Sequence, residues 1–176
     1  MLRDNSLIPA EAVRLAALGM LAERPCHYGE LAGEIRHFIS RITGPSLDLM
    51  GTSIELLRYD GLIEAIDGTG MEDNAQLRLT EAGRTAFAAL MGAGLKVPGG
   101  EINRLAAALK LRFLHLLPAP EQSTQVAIMT DWCRAELARL LDLRQTVAVA
   151  DLGQWLDMEI ALYQSRLDWL GQRIQA

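Results

Sequence analysis

Four breaks cut the first ninety residues into three helices and a hairpin, and that order constrains the fold more than any other feature. Arg24-Pro25 ends a first helix, because the residue before proline disfavours helical backbone. Thr43-Gly44-Pro45 breaks the chain again, and Asp60-Gly61 offers a left-handed helix terminator. Asp67-Gly68-Thr69-Gly70 has the composition of a turn between strands. Between the breaks, apolar residues recur at helical spacing. Val13, Ala16, Ala17, Met20 and Leu21 mark a helix over 10–23 that follows Pro9. Leu31, Ile35, Phe38 and Ile39 mark a second over 28–40. Met50, Ile54 and Leu57 mark a third over 47–60, with Ser46 as its N-cap. Residues 63–66 and 76–79 read as paired strands, and Thr80 caps a fourth helix running to about Met91.

Gly92, Gly94, Pro98, Gly99 and Gly100 then read as a flexible linker. Only helical signals follow: 101–117, stopped by Pro118 and Pro120, then 121–143, then 151–174 with Asp151 as N-cap. The expected fold class is therefore mainly α with a small β-hairpin wing. A winged helix-turn-helix domain over 1–92 and a linker over 93–100 precede a helical dimerisation domain over 101–176.

Charge is divided unevenly. Through Leu90 there are 8 Arg and no Lys against 13 acids, whereas the remainder carries 9 basic and 9 acidic residues. The acid excess thus sits wholly in the first half, where it opposes phosphate binding. No segment has the length and apolarity of a membrane span or a signal peptide, so the expected location is the cytoplasm. Cys26 and Cys133 are the only cysteines and form no CxxC pair. His27, Glu30, Glu34 and His37 have helix-compatible spacing but no metal-site motif, and residues 92–96 lack the ending of a phosphate loop. No nucleophile elbow occurs. The sequence therefore implies no metal, no cofactor and no enzyme.

Leu18-Gly19-Met20-Leu21-Ala22-Glu23-Arg24-Pro25, followed by His27-Tyr28-Gly29-Glu30-Leu31-Ala32, resembles the opening of PadR-type transcriptional regulators. Asp60-Gly61-Leu62-Ile63 is similar to the end of that family's recognition helix. Leu77 to Arg84 resembles its second wing strand and following helix. The resemblance covers about residues 12–90, and the remainder fits the longer subtype, whose helical tail pairs two subunits. It implies a repressor that binds double-stranded operator DNA as a homodimer and is released by a small effector. Two departures stand out. The family's recognition-helix Tyr falls at Gly51, and the wing tip is Met71-Glu72-Asp73-Asn74, with no base.

The candidate DNA contacts are Arg36, Arg41, Ser46, Thr52, Arg58 and Tyr59, with His37 beside them. Arg58 is placed to pair with a guanine or a phosphate. In the last helix Leu156, Ile160, Tyr163, Leu167, Leu170 and Ile174 recur near a heptad seam. With Trp155 they form the candidate dimer interface. Trp132, Trp155 and Trp169 leave two readings open: a dimer core, or a pocket for a flat aromatic effector with Arg134, Glu136 and Arg139 nearby. The alternative function is a dimeric winged-helix protein that has lost DNA binding and acts through protein contacts.

Overall fold

The computed structural model describes residues 6–44, 50–69 and 72–174. It consists of α1 (Pro9–Glu23), β1 (Cys26–His27), α2 (Tyr28–Thr43), α3 (Met50–Tyr59), β2 (Ile63–Ala65) and β3 (Gln76–Leu79). After these come α4 (Glu81–Met91), α5 (Glu101–Arg112), a 3-10 turn (Leu114–Leu116), α6 (Ala119–Thr146) and α7 (Ala150–Ile174). The chain is mainly helical with one small antiparallel sheet in the order β1-β3-β2. Three helices interleaved with this sheet make a winged helix-turn-helix.

Local chemistry explains the boundaries. The Ile8 N–H donates to Glu11 Oε2 at 2.9 Å while Pro9 supplies the first helical residue of α1. Gly61 ends α3 at φ 71°, with its N–H on Arg58 O and the Leu62 N–H on Leu57 O. This is a Schellman closure, which needs a left-handed residue at that point. Thr80 Oγ1 accepts from the Gly83 N–H and caps α4. Its hydroxyl also reaches Gly61 O, tying the end of α3 to the start of α4.

Helix α1 is the hub. From Ala12 to Leu21 every residue except Arg14 is buried, against α2, α3, α4, α5 and β3. The same core takes Leu31, Ile35 and Ile39 from α2 and Ile54 and Leu57 from α3. It also takes Leu105, Leu109 and Phe113. Helix α5 therefore packs inside the winged-helix core, although it follows the glycine-rich stretch. A second, smaller cluster joins Leu114, Val126, Met129, Trp132, Cys133 and Leu170 along the α6–α7 hairpin.

Several elements differ from expectation. The sheet has a third strand, β1, pairing Cys26 with Leu77 and His27 with Gln76. Pro118 and Pro120 do not simply stop a helix: α5 already ends at Arg112, and the prolines open α6. Proline suits either role, since it lacks the N–H that a first turn leaves unused. Asp151 lies in the first turn of α7 rather than at its cap. The stretch 93–100 is a fastened strap. Ser6 bridges Gly94, Ala93 is buried, and the Asn103 side chain exchanges two hydrogen bonds with Lys96 backbone (3.2 and 2.6 Å). The Gly99 N–H donates to Glu136 Oε1 of α6.

Lys110 is fully buried, yet among the described residues its ammonium meets only neutral acceptors, Met91 O and Gln125 Oε1 (2.8 Å). It pins the end of α4 to α6. Burial pushes its pKa down to about 8. Between pH 8 and the usual lysine value of about 10.4 the unfolded chain holds a proton that the folded chain has released. Stability is therefore expected to rise with pH across that window, whereas below it the full cost of the buried charge remains. Denaturant titration of the unaltered protein against Lys110→Met from pH 7 to 10 checks this. A pH-independent difference would contradict it.

Candidate nucleic-acid interface

At 100° per residue, the buried Ile54 and Leu57 fix the inward face of α3. Leu56 and Tyr59 stand on the outward side, 51% and 89% exposed, with half-buried Glu55 on the far side of Tyr59 from Leu56. Ser46 and the Thr52 side chain lie outside the described residues.

Arg58 takes a different role from the one its sequence position suggests. It lies on the flank of the helix, where its Nε and Nη2 donate to Glu55 Oε2 (3.2 and 2.9 Å) and its Nη1 donates to Thr69 O. The guanidinium therefore fastens α3 to the wing and is not presented to a base. Arg14 similarly holds Asp60 at 3.2 Å, and Arg24 holds Glu30 and Glu34 at 2.6 and 3.0 Å. The hydrogen bond from Arg24 keeps the Glu30 carboxyl below the usual carboxylate range. Arg78 pairs across the wing with Glu64 at 2.6 Å, in register. Arg36 and Arg41, exposed on the second half of α2, have no acidic partner among the described residues. His37 shares the Arg41 face one turn away.

The wing is built by its own acids. Asp73 Oδ2 accepts from the Thr69 N–H (2.5 Å) and Thr69 Oγ1 (3.0 Å), and Asp67 Oδ1 accepts from the Gln76 N–H (2.5 Å). At the wing base, Asn74 Oδ1 accepts from the Gly29 N–H (2.8 Å). Its backbone carbonyl meets His27 Nδ1 at 3.0 Å. A wing residue thus caps α2, which lacks a capping side chain of its own. Asp73 is consumed in the turn, whereas Glu72 is exposed. The spaced group His27, Glu30, Glu34 and His37 does not converge: Asn74 takes the first and Arg24 the two glutamates.

In the helical arm, Leu156, Ile160 and Leu170 are buried, and Tyr163 and Leu167 half-buried, within the chain's own fold. Their spacing suggests a dimer interface, but this seam is internal to the subunit and packs chiefly against α6. The Ile174 side chain lies outside the described residues. Trp155 stands on another row, with Met158, Leu162 and Trp169, all between 41% and 71% exposed. This row is turned roughly 140° around α7 from the seam.

Between α5, α6 and α7 lies an open cavity of about 610 Å³. Trp132, Tyr163 and Trp169 supply aromatic walls, with Arg104 and Arg166 at the margins. Trp132 and Tyr163 meet edge to face at 6.0 Å. Arg134 and Arg139 do not reach this space; they pair with Asp131 and Glu136. Among the described residues no helix is long and apolar enough to cross a membrane.

A protein-family model described as "Putative AphA-like transcriptional regulator" matches residues 2–173. No curated protein matches the chain. Among solved structures, smu.1604c from Streptococcus mutans UA159 is similar at 15% identity and a TM-score of 0.38, over 93% of this chain and 98% of that one. PadR of Bacillus subtilis, solved in complex with operator DNA, is similar at 17% identity and a TM-score of 0.38, over 92% of this chain and 96% of that one. The family match spans nearly the whole sequence: the chain belongs to the AphA-like family of transcriptional regulators, not to a family of enzymes.

Proposed function

We propose that this regulator is a PadR-like repressor that binds operator DNA as a homodimer, with α3 in the major groove and α2 against the backbone. The observation that carries the reading is the selective pairing of arginines. Glu55 of α3 and Asp60 just after it are each neutralised by an arginine, while Arg36 and Arg41 of α2 are exposed and have no acidic partner among the described residues. The net acidity of the first half is thus compatible with a locally cationic approach to DNA. The exposed row on α7 supports pairing of two subunits, which a two-fold operator requires.

The cavity between α5, α6 and α7 is of a size for a flat aromatic effector. It touches Ile42 of α2 on one side and α7 on the other, so an occupant would change the setting of the DNA-binding head relative to the dimer arm. Half-sites recur about every 34–36 Å, and a small change in head spacing weakens binding.

A gel shift against the protein's own upstream region, repeated over a salt series, tests the reading. Every phosphate that the protein no longer neutralises lowers the salt slope by about 0.9. Replacing both Arg36 and Arg41 with Ala is therefore expected to weaken binding and flatten the slope by about 2. An unchanged slope would remove α2 from the interface. Absence of any shift at low salt, with protein captured by a partner instead, would favour the protein-contact reading that the exposed acid Glu72 on the wing supports.

A further inference from the structure

We propose that Leu56 is a specificity-determining residue that reads the 5-methyl group of a thymine in each operator half-site. The proposal rests on the DNA-binding reading above. Leu56 is the exposed aliphatic side chain on the outward side of α3, 51% accessible, beside the nearly free Tyr59 and on the side away from Glu55. Among the described residues the charged groups of that helix and its C-terminal end are already paired. Arg58 is spent on Glu55 and Thr69 O, and Asp60 on Arg14. Among the described residues the outward side therefore offers a base edge the Tyr59 hydroxyl and little other ionic or donor chemistry. What it offers is apolar surface.

In the major groove the base-edge group that suits such a surface is the thymine methyl, which distinguishes T·A from the other pairs by apolar contact. Charge favours this occupant over an acidic or purely apolar partner. Glu55 is neutralised, so Leu56 can approach the duplex without a net negative neighbour, and α2, which packs on α3, carries Arg36 and Arg41, exposed and without an acidic partner among the described residues, for phosphates. Arg58 is then a positioning residue: through Thr69 it fixes the wing against the helix that carries Leu56.

The test begins with selection of duplexes from a randomised pool by the full-length protein. Each thymine of the selected site is then replaced by deoxyuridine, which removes only the methyl group. One position per half-site is expected to lose affinity about four-fold, the value of one buried methyl-sized group. In Leu56→Ala that position should no longer distinguish thymine from uridine, while Leu56→Met should keep the distinction. Leu56 is half exposed, so both variants are expected to fold, and circular dichroism verifies it. Indifference of the unaltered protein to uridine at every position would overturn the proposal. So would uridine sensitivity that persists in Leu56→Ala. Enrichment of no duplex at all would overturn the DNA-binding reading and this proposal with it. Binding with no methyl dependence would overturn this proposal alone.

Discussion

Phe113→Ala is expected to destabilise the protein by about 4 kcal/mol, within the range for removing a buried aromatic side chain. Phe113 is fully buried at the end of α5, edge to face with Phe87 of α4 (6.0 Å), and it lies over Gly19 of α1. A Cβ on Gly19 would sit 2.4 Å from the Phe113 ring. Gly19 is thus the notch that lets α5 close on the hub helix. Gly19→Ala alone should cost about 1–3 kcal/mol by overpacking. In the Phe113→Ala background the same change meets open space and should cost little. Denaturant unfolding of the two single variants and the double variant measures this coupling; additive costs would contradict the packing described.

Trp155→Glu combined with Met158→Glu is expected to convert a dimer into a folded monomer. Both side chains are largely exposed, at 52% and 71%, so neither supports the subunit core. Together with Leu162 and Trp169 they form a second apolar stripe on a helix whose first stripe already faces the core, chiefly α6. Such a surplus marks a contact surface. Two buried carboxylates in a paired interface would each cost several kcal/mol, enough to dissociate it at micromolar concentration. Sedimentation of both forms decides: a monomeric unaltered protein, or a variant that remains dimeric, would contradict the assignment of this row. The variant is expected to lose operator affinity as well, because each half-site alone binds weakly.

How much of the fold is legible in the sequence depends on how local the cause is. Pro9, Pro25, Gly61 and Thr80 act within a turn of themselves, and α1, α3, α4 and the wing strands begin or end where those residues predict. Strand β1 is two residues long and exists only because Leu77 and Gln76, some fifty positions on, supply its partners. The strap 93–100 reads as flexible from its glycines, but Asn103 and Glu136 fasten it. The heptad spacing of α7 is visible, but periodicity carries no label for the partner, and α6 of the same chain fills that place for Leu156 and Ile160. Arg58 misleads for the same reason. Its type suits a base, whereas its acceptors, Glu55 and Thr69 O, emerge only when the wing folds against α3. The selection of Arg36 and Arg41 for phosphates rests on exposure and on the lack of an acidic neighbour among the described residues, and both are tertiary facts.

The central claim is that this fold delivers two α3 helices to one duplex. Genome-wide footprinting of the bound protein tests it most directly. The account predicts discrete protected sites with two-fold symmetry, their half-site centres one helical turn of about 10–10.5 base pairs, or a multiple of it, apart. Protection indistinguishable from a protein-free control, or sites without a symmetric repeat, would contradict it.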